Sequence, residues 1–296
     1  MDRKYISNFL RLTLSQGVVV AAKFFLVKVF KRDTWVRFRG YEHPVLIRAG
    51  QPDPFVAWEI FVKEEYKTPM TESIRVILDM GANVGYAAVF FAKHYPDAKI
   101  ICFEPSSDNY KTLLLNTKPY QNIEAVNKGV WSKTTRVDIA NPEAESWSYQ
   151  LVEVAAGGIE CVGIDELVQQ HACGGRIMAK IDIEGAEEQL FTEAGSWLDE
   201  IGCLQIEVHN CWKPVFDTLA KYDYKAHISG ENIVLQMQTK LSEVKPQAPD
   251  SVAVGSSQAV SSPRPAPAFI PTPARTVSGR KRINTPASDS EHQSAS

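Results

Sequence analysis

The chain has 296 residues, and its 44% hydrophobic and 23% charged content is typical of a folded globular protein with a sizeable core. The formal net charge of −3 hides an uneven distribution, because residues 1–39 carry nine basic and two acidic side chains. Nucleic-acid-binding proteins more often carry their positive charge on the folded body, so we predict no nucleic-acid partner. The five cysteines form no C-x-x-C pair, which predicts reduced thiols and a cytoplasmic protein.

Residues 1–31 have a helical pattern, and the apolar stretch 17–30 within them is interrupted by Lys23 and Lys28. This stretch is too short and too charged to span a bilayer, and it lacks the cleavage site of a signal peptide. Two interpretations stay open. The segment is either a basic amphipathic helix in peripheral contact with an anionic membrane, or a helix packed on the domain with its lysines in water.

Further along the chain, residues 34–48 alternate as in a β-hairpin, and residues 55–62 suit a short amphipathic helix. From residue 73 onward, short apolar runs alternate with helical patterns, which predicts an α/β fold with a parallel sheet covered by helices on both faces. The predicted strands are 75–79, 99–103, 123–126, 177–182 and 203–208, and the predicted helices are 85–94, 106–117, 164–171 and 185–198.

Other segments depart from this alternation. Shorter alternating runs within 132–160 predict an inserted antiparallel hairpin, and two runs within 222–237 predict a terminal hairpin that makes the last strand antiparallel. The end of the chain is rich in Pro, Ser, Ala and Thr and has too little apolar surface to fold, so we predict disorder there. The predicted divisions are a basic helical and substrate-lining segment at 1–72, a cofactor-binding domain at 73–240 and a disordered tail at 241–296.

The turn after the first strand of this domain is the most informative feature of the sequence. A strand, a glycine-containing turn and a helix N-terminus together offer backbone N–H groups to a nucleotide-like ligand. The turn reads G-x-N-x-G and lacks the third glycine of a dinucleotide site, and its asparagine tolerates positive φ. The acid before the turn would face the amino group of an amino-acid-like ligand. We therefore predict an S-adenosylmethionine site rather than an NAD site, formed by Asp79, Gly81, Asn83 and Gly85.

Two further residues complete the predicted cofactor site. Glu104 closes the second strand, 19 residues after Gly85, where a carboxylate can accept both hydroxyls of a ribose. The loop that contains Asn127 follows the third strand, at the place where an adenine edge would lie. We therefore assign Glu104 and Asn127 to cofactor binding.

A second group of polar residues follows the fourth and fifth strands. Asp182 and Glu184 end one strand, and two carboxylates there could position or deprotonate a hydroxyl, or hold a divalent cation. Glu207 and His209 are two residues apart and so point to one side of a strand, and a histidine beside an acid suits a general base. We assign His209, Asp182 and Glu184 as catalytic residues and assign no metal ligand.

Together these segments resemble the FkbM family of S-adenosylmethionine-dependent methyltransferases over residues 55–228. The motifs are D-M-G-A-N-V-G at 79–85, F-E-P at 103–105, K-I-D-I-E-G-A-E at 180–187 and I-E-V-H at 206–209. The resemblance implies a class I methyltransferase, Rossmann-like fold, with a seven-stranded mostly parallel sheet whose last strand is antiparallel. It also implies O-methylation of a hydroxyl on a sugar, glycan or secondary metabolite, so the expected partner is a small-molecule or glycan acceptor.

Two other function classes compete with this prediction. An NAD-dependent oxidoreductase or epimerase needs a pyrophosphate turn and a Tyr-x-x-x-Lys pair, but Tyr66, Tyr110 and Tyr120 are not followed by lysine at that spacing. A protein that binds S-adenosylmethionine without catalysis could instead use the basic N-terminus and the tail to dock on a partner or a membrane.

Overall fold

We describe residues 3–67, 74–140, 151–174, 176–183, 185–193 and 195–240 of a computed structural model of the chain. All of them belong to one compact unit, Met1–Pro246. The predicted disordered tail at 241–296 lies outside the described residues, and the division at residues 72 and 73 stays a prediction.

The N-terminal segment is two helices rather than one. Gly17 has a φ of +93° and separates α1 (Arg3–Gln16) from α2 (Val18–Phe30). The predicted hairpin is confirmed, since β1 (Thr34–Val36) pairs antiparallel with β2 (Val45–Ile47). None of the helices in the described ranges is long and apolar enough to cross a bilayer.

The predicted helix at 55–62 exists but begins earlier and changes character. Helix α3 (Asp53–Trp58) continues into a π-helical turn, Glu59–Lys63, which ends where Glu64 adopts a φ of +55°. The remaining elements, in chain order, are β3 (Val76–Met80), α4 (Tyr86–His94), β4 (Lys99–Phe103), α5 (Ser107–Thr117), β5 (Ile123–Val126), β6 (Gly129–Trp131), β7 (Thr135–Ile139), β8 (Leu151–Glu153), β9 (Ile159–Gly163), α6 (Ile164–Gln170), β10 (Ile177–Ile181), α7 (Glu187–Thr192), β11 (Ile201–Glu207), α8 (Trp212–Leu219), β12 (Tyr222–Ser229) and β13 (Asn232–Lys240).

The main sheet has seven strands in the spatial order β5-β4-β3-β10-β11-β13-β12. Strands β5, β4, β3, β10 and β11 are parallel, whereas β13 runs antiparallel to both of its neighbours. Within this sheet, the first strand along the chain, β3, lies at the centre. Strands β4 and β5 follow towards one edge, and β10 then lies on the other side of β3. This order and the reversed last strand are those of the class I methyltransferase sheet, so the predicted fold class is confirmed.

Two apolar clusters lie on opposite faces of the main sheet. The consecutive β3 residues Ile77 and Leu78 belong to different clusters, because successive side chains of a strand point to opposite faces. One cluster includes residues of α2, α4 and α5, and the other includes residues of α6, α7 and α8. Both faces of the parallel strands are therefore covered, as their continuous apolar runs predict.

Two local predictions have different outcomes. The insertion does contain an antiparallel pair, β7 with β8, within a second sheet of order β6-β9-β7-β8, although residues 141–150 lie outside the described residues. The helix predicted over 185–198 is wrong in extent, because α7 ends at Thr192 and a separate 3-10 turn spans Trp197–Glu200. The chain bends there because the Ser196 N–H donates to the Asp165 carboxylate at 2.9 Å and a Cβ on Gly195 would overlap that carboxylate.

Candidate active site

The turn between β3 and α4 has the backbone conformation that its sequence predicts. Gly81, Asn83 and Gly85 all have positive φ, of +80°, +50° and +84°. The N–H groups of Gly81 and Ala82 both donate to the carbonyl oxygen of Phe103, at 3.0 and 2.9 Å, which holds the turn against the end of β4. The turn is therefore anchored to the neighbouring strand before any ligand binds.

Close packing as well as positive φ requires glycine in this turn. A Cβ on Gly81 would overlap the carbonyl oxygen of Asp182, and a Cβ on Gly85 would lie 2.6 Å from Leu113 Cδ1 in α5. The two glycines thus allow the turn to approach the end of β10 on one side and α5 on the other.

Glu104 joins the turn to the start of α5. Its side chain is 6% exposed, and its two carboxylate oxygens accept the N–H groups of Asn83 and Ser106, each at 2.8 Å. Burial raises the pKa of the Glu104 carboxyl, although the N–H groups of Ser106 and Asn83 act against it. Asn127 Nδ2 donates to the carbonyl oxygens of Glu104 and Pro105 at 2.8 and 3.1 Å. Four of the predicted cofactor residues are thus brought together, namely Gly81, Asn83, Glu104 and Asn127, and their binding role stays a prediction.

Lys180 is a central residue of the site that the sequence analysis did not assign. Its side chain is 2% exposed, and its ammonium nitrogen lies 3.3 Å from Asp79 Oδ1 and 3.3 Å from Asp182 Oδ2. The same nitrogen donates to the Gly81 carbonyl oxygen at 2.7 Å. Burial acts to lower the pKa of Lys180, but the carboxylates of Asp182 and Asp79 hold it above its ordinary value. The one visible sign in the sequence is a lysine inside an otherwise apolar strand.

Asp79 contacts Lys180 rather than the neighbouring cavity. The residue is fully buried, is paired in register with Lys180 of the adjacent strand, and is not among the described residues that line the neighbouring cavity. Loss of contact with water raises the pKa of the Asp79 carboxyl. Its carboxylate faces an ammonium of the protein itself, and its predicted part in cofactor binding stays a prediction.

A cavity of about 260 Å³ opens beside the glycine turn. It lies between the turn, α3 with its π-helical extension, Tyr66, and the ends of β10, β11 and β13. The described residues that line it include one basic side chain, Lys180, and five carboxylates, those of Glu59, Glu65, Asp182, Glu207 and Glu231.

The carboxylates of this acidic cavity affect one another. The negative charge of Glu207 raises the pKa of Glu231, and burial raises the pKa of Glu59. Asn232 also lines the cavity, is 3% exposed, and its Oδ1 has no hydrogen-bond partner among the described residues. A buried amide oxygen without a partner is suited to accept a hydrogen bond from a ligand.

His209 lies between two carboxylates at the end of β11. Its Nδ1 is 2.8 Å from Glu187 Oε1 and its Nε2 is 3.3 Å from Glu207 Oε1. Glu187 is fully buried, and its carboxylate also accepts the N–H groups of Ile183 and Gly185, at 3.2 and 2.9 Å. The hydrogen bond from His209 lowers the pKa of Glu207. Glu187 therefore fixes the imidazole ring, a role that the sequence analysis missed because the acid lies 22 residues away.

The predicted catalytic residues are only partly brought together. Potential ligand atoms of Asp182, Glu207 and His209 all lie within 4.8 Å of one another, a spacing that suits a shared proton or a bound cation. Asp182 and Glu207 line the acidic cavity, whereas His209 stands next to Glu207 and is not among the described lining residues. Glu184 lies outside the described residues, so its role stays a prediction.

Comparisons with known proteins return methyltransferases, but with limited coverage. The chain matches no protein-family model. A stretch of 62 residues is 37% identical to Methyltransferase sdnD of Sordaria araneosa, and it covers 21% of this chain and 24% of that protein. The match therefore spans about a quarter of the length of this curated relative.

Solved structures are similar only at low scores. A methyltransferase FkbM from Methylobacillus flagellatus KT is 18% identical with a TM-score of 0.39, covering 56% of this chain and 44% of that chain. A precorrin-6y C5,15-methyltransferase from Geobacter metallireducens GS-15 is 10% identical with a TM-score of 0.35, covering 60% of this chain and 85% of that chain. A fibrillarin pre-rRNA processing protein from Methanococcus jannaschii is 12% identical with a TM-score of 0.38, covering 72% of this chain and 86% of that chain.

Proposed function

We propose that the chain is an S-adenosylmethionine-dependent methyltransferase that methylates a hydroxyl group of a sugar, glycan or secondary metabolite. The observation that carries the proposal is the acidic cavity beside the glycine turn, where five carboxylates and one ammonium surround about 260 Å³. Such a cavity favours a ligand with positive charge. S-adenosylmethionine has a sulfonium and an ammonium group, and when bound it supplies an electrophilic methyl group.

The residues of the turn fit this cofactor. The Gly81–Gly85 backbone would lie against it, Glu104 would accept its ribose hydroxyls, and Asn127 would border its adenine. The Lys180 ammonium at the cavity wall suits the carboxylate of an amino-acid moiety, and Asp79 would act through Lys180 by keeping that ammonium charged. The fit rests on the charges of the donor set and on the glycine turn.

The acceptor side of the site is suited to removing a proton. Asp182 and Glu207 at the cavity wall would orient the acceptor hydroxyl, together with the unpartnered Oδ1 of Asn232. In its neutral form, with the N–H on Nδ1 facing Glu187, His209 would take the proton at Nε2, directly or through Glu207. The imidazolium formed would be stabilised between two carboxylates. Alignment of the reacting oxygen with the methyl group would contribute much of the acceleration, up to roughly 7–11 kcal/mol.

The same charges favour a small-molecule or glycan acceptor over a nucleic acid. A cavity lined by five carboxylates repels phosphate groups, whereas proteins that bind nucleic acids gain affinity from Lys and Arg on the phosphates. A neutral hydroxyl-bearing acceptor has no such penalty. We therefore propose no nucleic-acid substrate.

Calorimetric titration and a product assay test the proposal. The protein should bind S-adenosylmethionine and not NAD, and it should form S-adenosylhomocysteine when a suitable hydroxyl-bearing acceptor is present. His209→Ala should keep cofactor affinity and slow turnover by roughly 100-fold or more, the usual contribution of a positioned base. His227→Ala, at an exposed histidine of β12, is the matched control and should leave turnover unchanged.

Each unfavourable outcome has a distinct meaning. Full activity of His209→Ala would eliminate His209 as the base while leaving methyl transfer intact. Cofactor binding without product from any acceptor would favour the non-catalytic module instead. Preference for NAD in the titration would refute the cofactor assignment.

A further inference from the structure

Helix α2 is apolar apart from Lys23 and Lys28, yet the protein covers only one of its faces. Its buried side is formed by Val20, Ala21, Phe24 and Val27. The opposite side exposes six large apolar side chains, among them Phe30 at 65% and Val18 at 63%. An exposed contiguous apolar surface of this kind marks an interaction site.

These exposed side chains form a continuous stripe along α2. At 100° per residue, Val18, Phe25 and Val29 lie nearly in line along α2, and Val19, Leu26 and Phe30 lie beside them. We call these six residues the α2 apolar face. The same spacing places Lys23 at one border of the face, whereas Lys28 lies between Phe24 and Ala21 on the other side of the helix. The Lys23 ammonium donates to the Trp35 carbonyl oxygen at 2.6 Å, and the Lys28 side chain is exposed.

The positive charge of the surrounding segment favours a negatively charged partner. Residues 3–30 contain five basic residues and no acidic residue, and residues 31–39 add four basic residues and one acid. A protein partner would need a deep apolar groove with acidic rims, whereas an anionic lipid surface offers apolar depth and phosphate charge over any area. The combination of an exposed apolar stripe with a strongly basic surrounding segment is the pattern of a helix that lies in a membrane interface.

We propose that α2 docks the protein on the surface of an anionic membrane, with the α2 apolar face at the boundary between headgroups and acyl chains. The basic side chains around it contact lipid phosphates. The contact is peripheral, since 13 residues interrupted by two lysines cannot cross the bilayer. This docking does not depend on the reaction that the protein performs.

A second cavity lies beside Val27, on the side of α2 that packs on the protein, next to the acidic cavity. It has a volume of about 270 Å³ and lies between Val27 and Lys28 of α2, Lys31 and the segment 50–55. Pro52 and Phe55 line both this cavity and the acidic cavity. None of the six residues of the α2 apolar face is among the described residues that line this cavity, so the docking proposal rests on the exposed face and the charges around it.

Vesicle sedimentation of the full-length protein tests the docking. Extruded vesicles of phosphatidylcholine with a minority of phosphatidylglycerol should bind the protein, and pure phosphatidylcholine vesicles should bind it at least about tenfold more weakly. High salt should weaken the binding to anionic vesicles. Since the assay needs neither cofactor nor acceptor, its result is independent of whether the protein is a methyltransferase.

Two pairs of exposed aromatic residues provide a variant and its matched control. Phe25 and Phe30 are in edge contact on the α2 apolar face with ring centroids 6.1 Å apart, and Trp212 and Phe216 stack at 5.8 Å on α8. The double variant Phe25→Ser with Phe30→Ser should reduce vesicle binding about tenfold or more, because two aromatic side chains no longer enter the interface. Trp212→Ser with Phe216→Ser should bind like the wild type.

A charge variant separates docking from folding. Lys28→Gln with Arg32→Gln replaces two exposed basic side chains, leaves the apolar face intact, and should weaken binding to anionic vesicles only. Three results would each overturn the proposal. The protein could bind neutral and anionic vesicles equally, or the Phe25 and Phe30 variant could bind vesicles as well as the wild type does. The third is an α8 variant that loses as much vesicle binding as the Phe25 and Phe30 variant. A lack of vesicle binding combined with a dimer that the Phe25 and Phe30 variant abolishes would also overturn it, since a second copy would then cover the face.

Discussion

Replacement of Lys180 by methionine tests whether a buried ammonium organises the candidate site. The side chain is 2% exposed, contacts Asp79 and Asp182 at 3.3 Å each, and donates to the Gly81 carbonyl oxygen at 2.7 Å. Methionine fills nearly the same volume without the charge. The variant therefore leaves a fully buried Asp79 carboxylate facing an apolar side chain, and it frees the Gly81 carbonyl.

The expected loss of stability is large because one partner of a buried ion pair is removed while the other stays. Such a change costs about 3–5 kcal/mol in free energy of unfolding. For a folded unit of this size, each kcal/mol lowers the thermal midpoint by roughly 2–4 °C, so Lys180→Met should lower it by roughly 6–20 °C. Adding Asp79→Asn removes the uncompensated charge and should recover at least about 1 kcal/mol, because the two residues are in contact and their effects are not additive.

Thermal and urea unfolding of the single and double variants measure these quantities. Lys111→Met is the control, because its ion pair with Asp108 at 2.9 Å is exposed on α5 and should contribute little. Cofactor affinity should fall in Lys180→Met together with stability. Two results would refute the idea that these charges compensate one another. One is a Lys180→Met variant as stable as the wild type. The other is a double variant that is less stable than the wild type by the full sum of the two single effects.

Three further predictions concern the glycine turn, the Glu104 carboxylate and His209. Gly81→Ala should lower the free energy of unfolding and the free energy of cofactor binding by more than about 1 kcal/mol each, because the added Cβ overlaps the end of β10. Gly50→Ala is the control, since Gly50 also has a positive φ (+77°) but has open space around it. It should lose only the backbone penalty of about 1 kcal/mol in free energy of unfolding. Glu104→Gln should weaken binding in a calorimetric titration by about tenfold or more, because a neutral amide replaces the hydrogen-bonded carboxylate. The pKa of Glu207 is lowered by His209, so this pair stabilises the fold above the unfolded pKa of about 4.3 and the contribution is lost as pH falls through the lowered value. Thermal midpoints between about pH 3 and 6 should therefore fall more steeply for the wild type than for His209→Ala.

The parts of the fold that could be predicted from the sequence are those with local causes. Strands β3, β4, β10 and β11 are short, largely apolar runs because both of their faces are covered, and each run ends at a glycine or an acid. The positive φ of Asn83 follows from the turn that it occupies, as its +50° value shows. Helix breaks were harder, since the end of α7 depends on Asp165, an acid 31 residues before the serine that it binds.

The parts of the site that could not be predicted depend on register between strands. Lys180 meets Asp79 because β10 and β3 pair with those two residues opposite each other, and nothing in either segment alone specifies that register. Likewise, Glu187 reaches His209 only because the start of α7 and the end of β11 lie side by side. Sequence spacing identified the acids and the histidine, whereas sheet register determines which of them contact the cavity and which contact one another.

The fold shows where the unevenly distributed charges of the sequence lie. A net charge of −3 would suggest weak repulsion from anionic surfaces, but salt screens exposed charges beyond about 8 Å under physiological conditions. A lipid surface at the proposed docking site on α2 would therefore respond to the five basic residues of 3–30, and a ligand in the acidic cavity would respond to the five carboxylates of the described lining residues. Because the cavity charges are partly buried, salt should screen them less than it screens the exposed Lys28 of α2. The two proposed sites would thus select ligands of opposite charge within one folded unit, and the net charge of the chain predicts neither.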